Sequence, residues 1–242
     1  ILKEYEITWQ NDIEQIPSEP ALIIANEFFD ALPTEQYVMT KDGWYQRHIT
    51  VDQKHDNLSF INVPLKKQES SVFPNQISNA KIGSIFERNA ISERIMRSIA
   101  ERIRDNGLAS LIIDYGHTQT QLGETLQAVK SHKYHNPLTD IGEVDLTSHV
   151  DFEALVATSK TLGTRVHGPI TQRDFFTSLG IEQRTRTLAA KAEGGQVPLL
   201  LEGSQRLIAK NGMGTLFKVM AITPKRGETP AGFELKPLGN QA

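Results

Sequence analysis

The sequence contains no cysteine among its 242 residues. This absence excludes disulfide bonds, thiolate catalysis and zinc sites built from cysteine, and it is compatible with a reducing compartment. Acidic residues outnumber basic ones and give a formal net charge of −3, so we expect no nucleic acid partner. No apolar run approaches the length that crosses a bilayer, and we expect no membrane insertion.

The beginning of the chain lacks two further features. It reads ILKEYEITWQ, without an initiator Met and without the apolar region of a signal peptide. We therefore expect the chain to start inside a longer protein. Its hydrophobic fraction of 38% and charged fraction of 23% are ordinary for a globular domain.

Two short apolar runs end in polar residues. Residues 21–25 are followed by Asn26, Glu27 and, after two aromatic residues, Asp30, whereas residues 108–113 are followed by the letters DYGH. Such runs are typical of buried parallel strands, and open α/β sheets bind ligands at the carboxyl ends of these strands. The spacing alone also allows Asn26 to cap a helix and Asp30 to be solvated.

Strand and helix patterns alternate along much of the chain. Further strands are predicted over residues 5–9, 164–170 and 216–223. The clearest helix spans residues 85–104, where isoleucine recurs every four residues and charged residues occupy the other face. Other helices are predicted over residues 151–162, 172–179, 181–192 and 198–210. This alternation favours an α/β sheet covered on both faces.

Two long segments interrupt the alternation. Residues 36–79 are predicted to be an inserted β-ribbon followed by a loop, because three stretches alternate in polarity and a turn sequence separates the first two. Residues 118–147 are polar and show little periodicity. Since loops of this length are usually functional or disordered, we predict a lid over residues 117–150 that closes over a pocket and reaches a partner protein.

The motifs ANEFFDALP, LIIDYGH and HKYHNPLTDIGEVDLTSHVDF resemble, in this order, the MidA family of class I S-adenosylmethionine-dependent methyltransferases. The resemblance runs from about residue 5 to about residue 223. It implies a Rossmann-like α/β sheet of strand order 3-2-1-4-5-7-6 with strand 7 antiparallel. Strands 3 to 7 would be residues 5–9, 21–25, 108–113, 164–170 and 216–223. The extra helices of residues 171–212 would lie between strands 6 and 7.

The sequence departs from this family pattern in its cofactor-binding elements. The Gly-rich turn after strand 1 and the acidic end of strand 2 are both missing. Gly194-Gly195 and Gly212-Met213-Gly214 follow helix-like segments and are interpreted as helix ends and turns. We therefore expect residues 1–242 to be the C-terminal portion of a single methyltransferase domain. This portion would lack strands 1 and 2 and would be inactive alone. Strand 4 would then expose an apolar edge that invites aggregation.

The resemblance also implies a chemistry, which is transfer of a methyl group from S-adenosylmethionine to arginine of a protein partner. Mitochondrial members of the family resemble protein-arginine methyltransferases needed for assembly of respiratory complex I, so a respiratory-complex subunit is one candidate for the protein substrate, and the sequence does not identify the target. Glu27 is similar in placement to the first carboxylate of the double-glutamate loop of arginine methyltransferases. With Asp30 it is the candidate catalytic pair, because two carboxylates can hold a guanidinium and localise its charge.

Six further residues are predicted to bind substrate or cofactor. Asn26 could orient the substrate or the amino-acid end of the cofactor, and Phe28 either faces an adenine or belongs to the core. The matching motifs suggest substrate contacts for Asp114, Tyr115, His117 and His149. His117 is also a candidate base, and Asp114 is alternatively a turn acid before Gly116.

Several alternatives stay open at this point. The acids and histidines of the predicted lid match no compact metal motif, so we predict no metal site; they are His132, His135, Asp140, Asp145, His149 and Asp151. A non-catalytic assembly chaperone that keeps the methyltransferase fold is the main functional alternative, followed by a small-molecule methyltransferase. The expected compartment is the bacterial cytoplasm, with the mitochondrial matrix as the alternative.

Overall fold

The computed structural model describes residues 4–52, 57–65, 73–131 and 133–234. Its central sheet runs in the order β1-β6-β12-β11. Strands β1 and β6 are parallel, whereas β12 is antiparallel to both of its neighbours. The bounds are β1 Ala21–Asn26, β6 Leu108–His117, β11 Arg165–Thr171 and β12 Phe217–Thr223. This order equals 4-5-7-6 of the expected sheet, so the predicted fold class is confirmed for that half.

Three helices pack beside this sheet. Helix α1 (Ala90–Asn106) begins where the Asn89 side chain accepts a hydrogen bond from Ser92 N at 2.8 Å, and it ends before Gly107. Helix α2 (Phe152–Thr161) starts after Asp151, whose side chain accepts a hydrogen bond from Ala154 N, and α3 (Gln172–Ser178) starts after Thr171, whose side chain accepts from Asp174 N. The core that α1 and α2 form with the sheet includes Phe29, Met96, Ile99, Ile103, Ile112, Phe152, Leu155, Met220 and Ile222.

The inserted β-ribbon is a four-stranded antiparallel sheet of order β4-β3-β2-β5. Strands β2 (Glu35–Thr40), β3 (Gly43–Asp52) and β4 (Asn57–Pro64) follow the predicted ribbon. Strand β5 (Ile85–Arg88) was predicted as the first turn of the long helix, and that prediction is wrong. Asn89 starts the helix later because its side chain caps the first turn, and this leaves residues 85–88 free to pair with β2. Residues 53–56 and 66–72 of the predicted insertion lie outside the described residues.

The predicted lid contains regular secondary structure that its polar sequence did not predict. Strands β7 (Gln127–Lys130), β8 (Lys133–His135) and β9 (Asp145–Thr147) form a small sheet of order β8-β7-β9. A two-residue strand, β10 (Val150–Asp151), pairs with Gly116 and His117 at the end of β6. Strands of two to four residues are too short to show the alternation that identifies a strand in sequence. His132 lies outside the described residues.

The C-terminal insertion adds two helices beyond α3. They are α4 (Ile181–Ala189) and α5 (Gln196–Ile208), and a short α6 (Met213–Leu216) leads into β12. Gly195 and Gly212 directly precede α5 and α6. These glycines therefore take part in local helix ends.

Residues 5–9 do not form the predicted strand 3. Tyr5 is 69% exposed and Trp9 86% exposed, and no strand is assigned over this stretch. A strand needs a neighbour that pairs with its backbone N–H and C=O groups, and the described residues offer none there. The same side of the sheet leaves Leu22 and Ile24 of β1 more than 70% exposed, as expected for a free apolar strand (74% and 71%).

Candidate functional site

The site is built at the carboxyl ends of the two parallel strands β1 and β6. Asn26 lies opposite Ile113, and the ladder continues with Glu27 N donating to the Ile113 carbonyl oxygen at 3.0 Å. Glu27 then adopts a left-handed backbone conformation with φ +48°. This conformation is costly for a residue with a side chain and is frequent at functional sites. It ends β1 abruptly and turns the chain into the segment 28–30.

Asp114 holds that segment in place. Its Oδ2 atom accepts hydrogen bonds from the backbone nitrogens of Phe28, Phe29 and Asp30 at 3.2, 3.0 and 3.2 Å. Its Oδ1 atom accepts from Tyr115 N at 2.9 Å, and the residue is 0% exposed. Asp114 therefore lies inside β6, not in a turn, and its carboxylate positions the backbone of the segment that follows β1.

Burial dominates the electrostatics of Asp114. Desolvation raises its pKa from 3.8 to about 7, the nearby charge of Asp30 adds to this, and the backbone hydrogen bonds act in the opposite direction. Tyr115 is 9% exposed, and burial followed by the neighbouring Asp30 carboxyl raises the pKa of its hydroxyl. Both groups therefore favour their neutral forms more strongly than they would in water.

Glu27, Asp30 and Tyr115 line one cavity of about 480 Å³. Asp30 is only 5% exposed, and its Oδ1 atom has no hydrogen-bond partner among the described residues. Tyr115 packs edge-on against Phe217 with ring centroids 5.4 Å apart, which gives the cavity an aromatic wall. We call this space the acidic cavity.

Asn26 and Phe28 lie on the other side of the same segment. They line a second cavity of about 430 Å³ together with Ile24 of β1 and Ile95 of α1. Phe28 is 44% exposed and packs edge-on against the buried Phe29 at 5.3 Å. Glu27 lines the acidic cavity and Phe28 lines the second one, so this segment lies between two spaces of different character. The second cavity is lined mainly by apolar residues, with polar contributions from Gln10, Asn11, Asp12, Asn26 and Arg94.

His149 and His117 are not part of the acidic cavity. His149 lines a third cavity of about 320 Å³ with Asp151, and burial followed by the nearby His117 lowers its pKa. His117 Nδ1 lies 2.8 Å from the carbonyl oxygen of Gln119 and 3.9 Å from Asp151 Oδ1. The His149 ring contacts Tyr115 at 5.7 Å, which is the link between this cavity and the acidic one.

Sequence reasoning missed one acidic residue of the acidic cavity. Asp145 of β9 lines it, although the sequence placed this residue only in the predicted lid. The pairing of Asp145 with Val129 of β7 brings Asp145 to the acidic cavity, and no local sequence pattern predicts that pairing. Phe217 was likewise recognised only as the start of a strand.

The described residues form neither a metal-binding cluster nor a membrane-spanning helix. Across the described ranges, no three acidic, histidine or cysteine side chains lie close enough together to hold a metal ion. Within the same part of the chain, no helix is both long and apolar enough to cross a bilayer.

Comparisons with known proteins agree with this architecture. Residues 2–170 match a family model described as "Putative S-adenosyl-L-methionine-dependent methyltransferase". The chain is 32% identical over 222 residues to the mitochondrial protein arginine methyltransferase NDUFAF7 of Xenopus laevis, covering 90% of this chain and 49% of that protein. It is 31% identical over 238 residues to the homologue of Caenorhabditis elegans, covering 95% and 55%. The chain thus spans about half the length of the curated relatives it matches.

Solved structures give the same fold. A protein from Burkholderia thailandensis superposes with a TM-score of 0.79 at 23% identity, covering 91% of this chain and 60% of that chain. A second one from the same organism, bound to S-adenosyl-homocysteine, superposes with a TM-score of 0.78 at 22% identity and covers 91% and 58%. At this identity the likeness establishes the fold.

Proposed function

Because the chain belongs to this family of S-adenosylmethionine-dependent methyltransferases, we propose that it carries the substrate-binding part of an enzyme that methylates arginine in a protein partner. The main support is the acidic cavity, where Glu27 and Asp30 line one space beside the apolar second cavity. The names of the relatives point to the same substrate class.

The residues of the second cavity fit one wall of a cofactor site. Ile24 and Phe28 offer exposed apolar surface to an adenosyl group, and Asn26 adds an amide that can bind polar atoms. S-adenosylmethionine, when bound, supplies an electrophilic methyl group. The chain spans about half the length of its curated relatives, and we propose that the other wall belongs to a part of the protein that corresponds to the rest of their length.

The acidic cavity fits the nucleophile. A guanidinium is a poor nucleophile because its positive charge is delocalised over three nitrogens. Carboxylates that bind two of these nitrogens localise the charge there and leave the third nitrogen better able to attack. Glu27 sits on the segment between the two cavities, and we assign it the role of orienting the guanidinium. Asp30, held by Asp114 through its backbone, supplies the second carboxylate.

The names of the relatives also bear on the compartment and on the protein partner. The relatives are named as mitochondrial proteins, which favours a mitochondrial location over the bacterial cytoplasm. A respiratory-complex subunit remains the predicted substrate.

The test uses the complete gene product, including any sequence upstream of Ile1. We expect calorimetry to detect binding of S-adenosylmethionine and labelled cofactor to transfer its methyl group to arginine in a peptide or protein. Glu27→Gln should abolish transfer while keeping cofactor affinity, since Glu27 lies on the substrate side. Unchanged turnover would show that Glu27 is misassigned.

The alternatives give different results in the same assay. Absence of cofactor binding would favour the assembly chaperone that only keeps the fold. Label that appears only on small molecules would favour a small-molecule methyltransferase. Either result would overturn the proposal.

A further inference from the structure

The acidic cavity is unusual in its charge. Three carboxylates line it, those of Glu27, Asp30 and Asp145, and none of the described residues that line it is basic. A cleft with charge of one sign and a partly apolar wall concentrates ligands of the opposite sign. The occupant should therefore be a cation that enters from outside the described chain.

The most buried of the three acids has one oxygen without a donor. Only 5% of Asp30 is exposed, and its carboxyl is a hydrogen-bonding neighbour of the Tyr115 hydroxyl, whereas its Oδ1 atom accepts no hydrogen bond within the described residues. Burying a carboxylate oxygen without a donor is costly. A rotation of the Asp30 side chain that turns this oxygen toward the cavity would let an N–H group of a ligand remove this cost.

Asp145 lines the same cavity from β9. It is exposed, and its side chain forms no hydrogen bond or ion pair with any other described residue. Its strand is nevertheless fixed, because Ser148 N donates to the Asp30 carbonyl oxygen at 3.0 Å and the Ser148 hydroxyl lies 2.5 Å from that of Thr34. The backbone that carries Asp145 is thus attached directly to the residue that carries the deep carboxylate.

The spacing of these acids excludes a small ion. No three acidic side chains of the described segments converge closely enough to act as ligands of one metal. The cavity of about 480 Å³ and its wall of Phe217 and Tyr115 fit a larger organic cation with an apolar stem. A planar guanidinium has five donors in a fixed fork and can donate hydrogen bonds to the carboxylates of two residues, whereas an ammonium is a compact point charge.

We propose that Asp145 is a specificity-determining residue that, with Asp30, binds the guanidinium of the substrate and selects arginine over lysine. The substrate class rests on the proposed function. Asp145 acts from the small sheet formed by β7, β8 and β9, so this part of the predicted lid supplies one wall of the substrate site.

The experiment measures binding without catalysis. The complete gene product, saturated with S-adenosylhomocysteine, is titrated with N-acetyl-arginine amide and with N-acetyl-lysine amide. We expect the arginine probe to bind at least about tenfold more tightly than the lysine probe, and Asp145→Asn to weaken the arginine probe about tenfold, as expected for one lost charge-assisted hydrogen bond.

Glu143→Gln is the matched control. It removes the same charge two positions away, from an exposed residue that pairs with Lys130 and does not line the cavity. Binding of the arginine probe should stay within about twofold of the wild type, because an exposed ion pair contributes little. The affinity for S-adenosylhomocysteine should be unchanged in both variants. Asp145→Ser serves as a second variant should the first fold poorly.

The outcomes separate this assignment from the proposed function. Equal binding of the two probes, or an Asp145→Asn variant that binds the arginine probe like the wild type, overturns the assignment even where methyl transfer to arginine is found. Selective binding that depends on Asp145, without any methyl transfer, supports the assignment and overturns the proposed function.

Discussion

The Oδ2 atom of Asp114 lies 3.0 Å from the backbone nitrogen of Phe29, and it also accepts from the two neighbouring nitrogens. One buried side chain of β6 therefore fixes the turn that follows β1. The residues on either side of that turn, Glu27 and Asp30, face the acidic cavity. Asp114 thus shapes the candidate site without lining it.

Asp114→Ala should destabilise the protein strongly. It leaves four backbone N–H groups without their acceptor, and we expect the free energy of unfolding to fall by about 3 to 5 kcal/mol. Asp114→Asn keeps one acceptor oxygen and should cost only about 1 to 2 kcal/mol. Urea denaturation of the wild type and the two variants measures this order of stability. Equal stability of the alanine variant and the wild type would contradict the positioning role.

The stability of the wild type should also depend on pH through Asp114. Its pKa of about 7 exceeds the ordinary value of 3.8, so the folded state binds this proton more tightly than the unfolded chain. The contribution is fully present below pH of about 4 and is lost as the pH rises to about 7. The lowered pKa of His149 adds an opposite slope, which is shared by wild type and variant.

Asp114→Asn isolates this contribution because it carries no titratable proton at the site. Denaturation curves at several pH values should show the wild type losing stability relative to this variant as the pH rises from 4 to 7, within about one unit at either end. A wild type that becomes relatively more stable over this range would reverse the sign and contradict the prediction.

Glu27→Gly should separate folding from function. Glu27 has φ +48°, where glycine is unstrained, so the substitution relieves a cost of about 1 kcal/mol or more. Greater backbone freedom of glycine in the unfolded chain offsets part of that gain. We expect a thermal midpoint equal to or above that of the wild type, together with loss of methyl transfer. A clearly lower midpoint would show that the Glu27 side chain stabilises the fold.

Gly116→Ala should disrupt the contact between β6 and β10. A Cβ atom at Gly116 would lie 2.0 Å from the Val150 carbonyl oxygen, and backbone atoms cannot move aside as a flexible side chain can. We expect a loss of about 3 kcal/mol or more. Gly123→Ala is the control, because a Cβ atom there meets nothing within 4 Å. Similar unfolding curves for both variants would contradict this account.

The exposed face of β1 should promote self-association of residues 1–242 expressed alone. Leu22 and Ile24 are 74% and 71% exposed on a strand that pairs only with β6 in the described structure. Replacing both with lysine should lower the apparent mass in light scattering. Leu199→Lys, at a leucine 69% exposed on a helix, should have a much smaller effect. Equal effects of the two sets of substitutions on the apparent mass would show that β1 has no special role in self-association.

The local patterns of the sequence determined the strands and helices of the central sheet. The apolar runs predicted β1 and β6, and the family motifs placed them in the order that the structure has. The helices predicted over residues 151–162 and 172–179 correspond to α2 and α3, whose starts depend on the side-chain caps Asp151 and Thr171, and such a cap acts within three residues. Residues 5–9 failed as a strand because strand formation depends on a neighbour, which local composition does not reveal.

The predicted site residues show the same division. The sequence alone placed Glu27, Asp30, Asp114 and Tyr115 at the carboxyl ends of two strands that meet, since that depends on periodicity and chain order. Only the tertiary structure decided that Asp114 turns inward, that His149 faces another cavity and that Asp145 joins the acids. Those outcomes depend on hydrogen bonds and strand pairs between residues far apart in the chain, and no local pattern encodes such distances.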